Sequence, residues 1–202
     1  MCDADPTAMF ERLYVAAAEG HETLHWDRGG PHPLIDEWAR DITGSGRRAL
    51  VVGSGFGPDA ELLARRGFDV VGFDVSPTAI ASAHERFPES GVEYRVADLL
   101  DPPSDWSHAF DLVVESLTVQ SMPVAFHARA IANVSRMVAP GGTLLVVAHG
   151  RDEVDGPVDG PPWPLTRAEV EAFGCEGLEA VRIEDVRRPD LKARWRAEFR
   201  RA

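Results

Sequence analysis

The stretch from Ala49 to Ser76, ALVVGSGFGPDAELLARRGFDVVGFDVS, decides the fold. Ala49-Leu50-Val51-Val52 is a short apolar run halted by glycine, the pattern of a strand buried on both faces. Asp59 to Arg66 reads as a helix, with Ala60, Leu63 and Ala64 on one side and Gly67 as its stop. Val70-Val71-Gly72-Phe73 repeats the strand pattern and ends at Asp74. Strand, glycine turn, helix and second strand together make a βαβ unit, which predicts a parallel sheet.

The alternation continues outward. Pro77 opens a helix through Arg86, because proline suits the first helical turn. Strands follow at Val92–Val96 and Phe110–Val114, the latter ending at Glu115. Val124, Ala128, Ile131, Val134 and Val138 recur at helical spacing and predict one apolar face. Pro140-Gly141-Gly142 stops that helix, and Thr143–Ala148 forms a fifth strand. Thr166-Arg167-Ala168-Glu169 is a capping box opening a last helix. Leu178–Val186 and Leu191–Phe199 are two further strands. In the second, Leu191, Ala193, Trp195, Ala197 and Phe199 alternate with charged residues, as in a strand with one solvated face at or near a sheet edge. The expected architecture is a single-domain α/β protein with a doubly wound Rossmann-like sheet, mostly parallel and finished by a C-terminal antiparallel hairpin strand. Residues 1–47 precede the sheet and are expected to form a helical lid over a domain spanning 48–202.

A chain of 202 residues holds one such domain and leaves no length for a second. Its formal net charge of −12 argues against a nucleic-acid partner. There is no apolar run of membrane-spanning length, and Met1–Phe10 lacks the layout of a secretory signal. The two cysteines, Cys2 and Cys175, form no CxxC, so no metal framework is expected and a reducing cytoplasm fits.

Chemistry is expected where the strands end. Gly53-Ser54-Gly55-Phe56-Gly57 turns from the first strand into a helix and lets a ligand approach the backbone there. Asp74 can accept hydrogen bonds from two ribose hydroxyls, and Asp98 can receive an adenine amine. With their neighbours Val75 and Leu99 they suit an adenosyl group lying across three strand ends; each acid could instead be a helix cap or turn residue. Glu115 is expected to face the reacting group, although a solvated strand end reads almost as well. Of the seven histidines, His21, His25, His32 and His149 are candidates for the site. His149 follows the fifth strand and, with Glu115, is a weak candidate for general-base work.

These segments resemble the nucleotide-binding half of class I S-adenosylmethionine-dependent methyltransferases. They resemble most closely the thiopurine and thiol S-methyltransferase family. That resemblance rests on the 49–76 stretch, on Asp59 after the glycines, on Trp26-Asp27-Arg28-Gly29-Gly30-Pro31, and on Gly160-Pro161-Pro162 before the last helix. Most class I enzymes carry an acid where Val51 stands, and Ser54 replaces a frequent cysteine. The resemblance implies S-adenosyl-L-methionine as cofactor, a parallel sheet finished by a hairpin, and Trp26 packed over the cofactor. The alternative for Trp26 is a helix-packing anchor.

The expected function is methylation of a small molecule, with a thiol favoured because no acid–base dyad stands out. O- or N-methylation of a small natural product is the alternative. A nicotinamide-dependent oxidoreductase fits less well. Gly55-Phe56-Gly57-Pro58-Asp59-Ala60 matches G-x-G-x-x-A, but its first glycine lies two residues past the strand. Tyr14 and Tyr94 also lack the Tyr-x-x-x-Lys partner. A non-catalytic adenosyl-binding protein is the third reading.

Overall fold

The computed structural model describes residues 8–24, 26–152, 158–191 and 193–202. They fall into two compact units, one up to Asp101 and one from Pro102 onward. The first unit holds α1 (Ala8–Ala18), α2 (Pro33–Ala39), β1 (Arg48–Val52), α3 (Pro58–Arg65), β2 (Asp69–Asp74), α4 (Pro77–Arg86) and β3 (Glu93–Val96). Its strands are parallel in the order β3-β2-β1, with Val51 opposite Gly72 and Asp74 opposite Val96. Ala49 to Val52 are all buried, as an apolar run covered on both faces must be.

The second unit holds β4 (Phe110–Ser116), α5 (Val124–Arg136), β5 (Val138–His149), α6 (Arg167–Glu171), β6 (Leu178–Asp185) and β7 (Ala193–Arg201). The strand order is β4-β5-β7-β6, with β4 and β5 parallel and β7 antiparallel to both neighbours. Both units are thus built on parallel strands, and the antiparallel pair comes at the C-terminal side, as expected. The period-2 pattern of the tail is realised in β7, where Trp195, Ala197 and Phe199 are buried; β6 takes the edge. The buried Arg201 guanidinium donates to the Val138 and Ser135 carbonyls, both at 2.8 Å, close to the end of α5. At Ser135 it meets a carbonyl of the last helical turn that the helix cannot satisfy itself.

Two sequence expectations are corrected. The apolar face of α5 is rotated: Val124 is 51% exposed and Ala128 is exposed, while His127, Ala130, Ile131, Val134 and Ser135 are buried. A buried polar pair, His127 and Ser135, is invisible to a count of apolar residues. Strand β5 also begins at Val138 rather than Thr143. Pro140-Gly141-Gly142 does not stop it but is absorbed as an irregularity, Phe110 facing Val138 and Leu112 facing Thr143. Gly141 has φ of 74°, a conformation that suits glycine.

Candidate functional site

In the first unit the glycine turn is stitched to the end of β2. The Ser54 N–H donates to the Phe73 carbonyl at 2.7 Å, and the Gly55 N–H to Asp74 Oδ2 at 3.0 Å. The Ser76 N–H donates to the other carboxylate oxygen, also at 3.0 Å. Those loop amides are therefore committed internally, and the open-amide expectation does not apply to them. Ser54 also points its Oγ inward, where it is buried without a hydrogen-bond partner. Burial raises the Asp74 pKa, while the N–H groups of Ser76, Gly55 and Val75 oppose the shift. Each oxygen keeps lone pairs beyond the one it uses, so this carboxylate fits a vicinal diol.

Asp98, after β3, is half-buried and accepts the Leu100 N–H at 2.8 Å with Oδ1. Its second oxygen suits an amine donor. Val75 is half-buried beside Asp74, and Leu99 is buried beside Asp98.

The N-terminal segment closes on this loop through contacts that the sequence reading did not anticipate. Tyr14 of α1 is buried with its ring edge-on to Phe56, the centroids 5.2 Å apart at 80°. The Tyr14 oxygen accepts the Trp26 indole N–H at 3.2 Å. On Phe56 also rests the Arg86 guanidinium, 3.9 Å from the ring centroid, a cation–π contact. Arg86 in turn donates to both carboxylate oxygens of Asp27, at 3.2 and 2.7 Å. Glu11 reaches the start of α4, accepting from Ser76 Oγ at 2.5 Å and Thr78 Oγ1 at 2.6 Å. Burial works against Glu11 ionisation, but the hydrogen bonds from Ser76 and Thr78 outweigh it and lower its pKa.

The quoted motif pieces meet as well. Asp59 Oδ1 accepts the His32 N–H at 2.7 Å, and burial pushes its pKa up to about 6 against that bond and Arg28. His32 Nδ1 caps α2 by accepting the Leu34 N–H at 3.2 Å, a structural duty. His21 is exposed beside Glu19, and His25 lies outside the described residues. The helical stripe Phe10, Leu13, Tyr14 and Ala17 is the signal that could have revealed α1.

In the second unit, Glu115 is fully buried. Expected to face the reacting group, it instead turns Oε1 to the backbone, accepting the Thr118 and Val119 N–H groups at 2.8 and 2.9 Å. Oε2 is buried without a hydrogen-bond partner. Burial raises its pKa to about 7, opposed by those N–H groups and by His127. His127, unforeseen, sits with Nδ1 at 2.7 Å from Glu169 Oε1 and Nε2 at 2.9 Å from the Met122 carbonyl. Glu169 also closes the predicted capping box with Thr166. Burial would raise its pKa, but His127 and Thr166 hold it at about 2. His149 is half-buried at the end of β5, and its N–H donates to Gln120 Oε1 at 2.5 Å.

No group of metal-ligating side chains occurs among the described residues, and none of their helices is long and apolar enough to cross a membrane. A methyltransferase-domain family model matches residues 50–146. A 2-heptyl-1-hydroxyquinolin-4(1H)-one methyltransferase of Mycobacteroides abscessus is 30% identical over 167 residues, covering 80% of this chain and 72% of that protein. A probable thiol methyltransferase of Arabidopsis thaliana is 28% identical over 163 residues, covering 79% and 71%. The fold matches N-methyltransferase NodS of Bradyrhizobium japonicum, solved with S-adenosyl-L-homocysteine, with a TM-score of 0.70 over 98% of this chain and 99% of that one at 22% identity. The chain belongs to the class I S-adenosylmethionine-dependent methyltransferases, and S-adenosylmethionine is its cofactor.

Proposed function

We propose that this chain methylates a small thiol or another soft anion, presented at the carboxyl ends of β4 and β5. Bound S-adenosylmethionine supplies a methyl group already activated on a sulfonium, so the protein's residues need to bind, align and exclude water. The adenosyl part is held by Asp74 and Asp98 with Val75 and Leu99, beside the turn Gly53-Ser54-Gly55. Residues 1–47 close over it, with Trp26 as cover. The partner is a small molecule in the cytoplasm, and neither nucleic acid nor membrane takes part.

The observation that carries the choice of a thiol is Glu115. Its Oε1 is committed to the Thr118 and Val119 N–H groups and its Oε2 carries no hydrogen bond, so Glu115 forms no base dyad with His149. A thiol with an ordinary pKa near 8.5 supplies a thiolate fraction at neutral pH without a protein base. The similarity to a thiol methyltransferase supports the same choice. Turnover measured by mass gain over thiols, phenols and amines tests it. With the preferred thiol, His149→Ala should keep activity within about tenfold, less than a true general base supplies. Activity on phenols alone would replace this reading with O-methylation.

A further inference from the structure

Glu11 belongs to α1, yet its carboxylate serves as a second cap at the start of α4. Oε2 accepts the Ser76 hydroxyl at 2.5 Å and the Thr78 N–H at 3.3 Å, and Oε1 accepts the Thr78 hydroxyl at 2.6 Å. Free backbone N–H groups and the helix dipole favour a negative charge at such a helix start. Ser76 is fully buried and is the N-cap of α4, its Oγ accepting the Ala79 N–H at 3.0 Å. In the other direction the Ser76 N–H donates to Asp74 Oδ1, also at 3.0 Å. One residue therefore joins an acid of the N-terminal segment to the acid that ends β2.

Those bonds order Ser76, but they do not remove the repulsion between the carboxylates on either side of it. Burial opposes ionisation of Glu11, and the bonds from Ser76 and Thr78 outweigh it. Asp74 has no such surplus. Burial raises its pKa, the N–H groups of Ser76, Gly55 and Val75 oppose the rise, and the Glu11 charge adds to it. Tyr14 of α1 also bears on Asp74, but burial first and that carboxylate second push its pKa up, so it stays a neutral phenol. Asp27 acts on Tyr14 as well and is paired with Arg86. The charge that α1 brings to Asp74 is that of Glu11.

We propose that Glu11 is a positioning residue that couples docking of the N-terminal cover to the cofactor-binding state of Asp74. This coupling rests on the reading of Asp74 as the ribose acid and of residues 1–47 as the cover. With α1 docked, Ser76 holds Asp74 Oδ1 in place while the Glu11 charge disfavours the ionised form of Asp74. Two ribose hydroxyls donating to Asp74 favour that ionised form and oppose the repulsion. An empty site leaves the two acids uncompensated, and a filled one lets the cover stay down.

Calorimetry of S-adenosylhomocysteine binding at pH 5 and 8 tests this, with the ligand-free melting temperature as a check on the fold. Glu11→Gln keeps atoms able to bond Ser76 and Thr78 and removes the charge, so Asp74 stays ionised to lower pH. Its loss of affinity between pH 8 and 5 should be about threefold smaller than that of the wild type. In an Asp74→Asn background the same substitution should leave the ratio between the two pH values unchanged, because no carboxylate remains there to feel the charge. Glu11→Ala removes the bonds as well, and should bind the ligand about tenfold more weakly at pH 8 and release it faster in stopped flow. Equal pH losses in the wild type and Glu11→Gln overturn the proposal, as does an equal effect of Glu11→Gln in both Asp74 backgrounds. A Glu11→Ala protein that melts lower but binds as tightly as the wild type would make Glu11 a packing residue and overturn it too. One pH profile shared by the wild type and Asp74→Asn would instead remove the ribose reading, and the coupling with it.

Discussion

The hydroxyl of Tyr94 lies directly against Gly57, so close that a methyl group added to the glycine would sit 2.2 Å from the oxygen. Gly57 also has φ of 91° as it leads into α3. Tyr94 is held there by its hydrogen bond to Glu61 Oε1 at 2.8 Å, inside a buried cluster that Ser90 joins. The glycine turn therefore has a polar floor. Gly57→Ala should cost about 2–4 kcal/mol, from the left-handed backbone and from overpacking. In a Tyr94→Phe background the overpacking part should shrink and the backbone part remain. Urea unfolding of the four proteins in the cycle measures this, and strict additivity would show that Tyr94 does not press on Gly57.

Asp74 carries a prediction about pH. Its pKa is raised, so it protonates at a higher pH than an exposed aspartate, and a protonated carboxyl loses acceptor capacity. Affinity for S-adenosylhomocysteine should therefore fall as the solution is acidified. Asp74→Asn should bind about 1.5–3 kcal/mol more weakly at pH 8 and lose most of that pH dependence. Calorimetry at pH 5 and 8 provides both numbers; parallel pH profiles in the two proteins would remove Asp74 from the ribose site.

Two acids, one half-buried and one fully buried, should bend the stability curve in opposite senses. Glu169 is held at about 2, below its unfolded value of 4.5, so its stabilising contribution is present above 4.5 and lost as pH falls toward 2. Its worth is on the order of 2 kcal/mol, discounted for partial exposure. Glu115, raised to about 7, behaves the other way. The folded state holds its proton longer than the unfolded chain does, so stability drops as pH rises from 4.5 to 7, also by on the order of 2 kcal/mol. Glu169→Gln should flatten the acid limb alone, and Glu115→Gln the limb from 4.5 to 7 alone. Denaturant titrations across pH 2.5–8 read both limbs, and a Glu115→Gln curve parallel to the wild type would contradict the assignment.

The N-terminal cover is tested by Trp26→Ala. Trp26 is 41% exposed and touches the core through Tyr14, so its removal should leave the ligand-free melting temperature within a degree or two. Affinity for S-adenosylhomocysteine should fall by about tenfold, the loss of one aromatic contact with a ligand. Equal thermal losses with and without ligand would make Trp26 a packing residue.

The parts of this protein that could be read from residue order are those governed by local chemistry. The 49–76 stretch announced its strands because apolar runs beside glycine have few other uses. The β7 alternation was legible because a strand sorts neighbours onto two faces, and the Thr166 box because capping needs a residue and its third successor. What escaped depends on residues far apart. Asp27 pairs with Arg86 and Glu11 with Thr78 across more than fifty positions, and nothing local marks them as partners. His127 carries no local mark of its use, which lies in bonds to Glu169 and the Met122 carbonyl. Gln120 was passed over for a similar reason: its use lies in a bond to a backbone N–H at the end of another strand. Glu115 was found, but the bonds from its Oε1 to its own following turn were not, since its neighbours alone do not mark the Thr118 and Val119 N–H groups as partners.

The Trp26–Tyr14 hydrogen bond also makes the N-terminal segment optically visible. Trp106 and Trp195 are buried, and Trp38 and Trp163 are half-buried, which leaves Trp26 as the indole most open to a collisional quencher. Acrylamide, being uncharged, should select its emission where iodide would be held off by the protein's net charge of −12. With its N–H on a buried phenol and its ring 6.1 Å from that tyrosine, Trp26 is placed to collect excitation energy from Tyr14 whenever the two stay together. Loss of that transfer, with a red shift and faster quenching, would time the opening of the segment in a stopped-flow trace, with no label added to the chain.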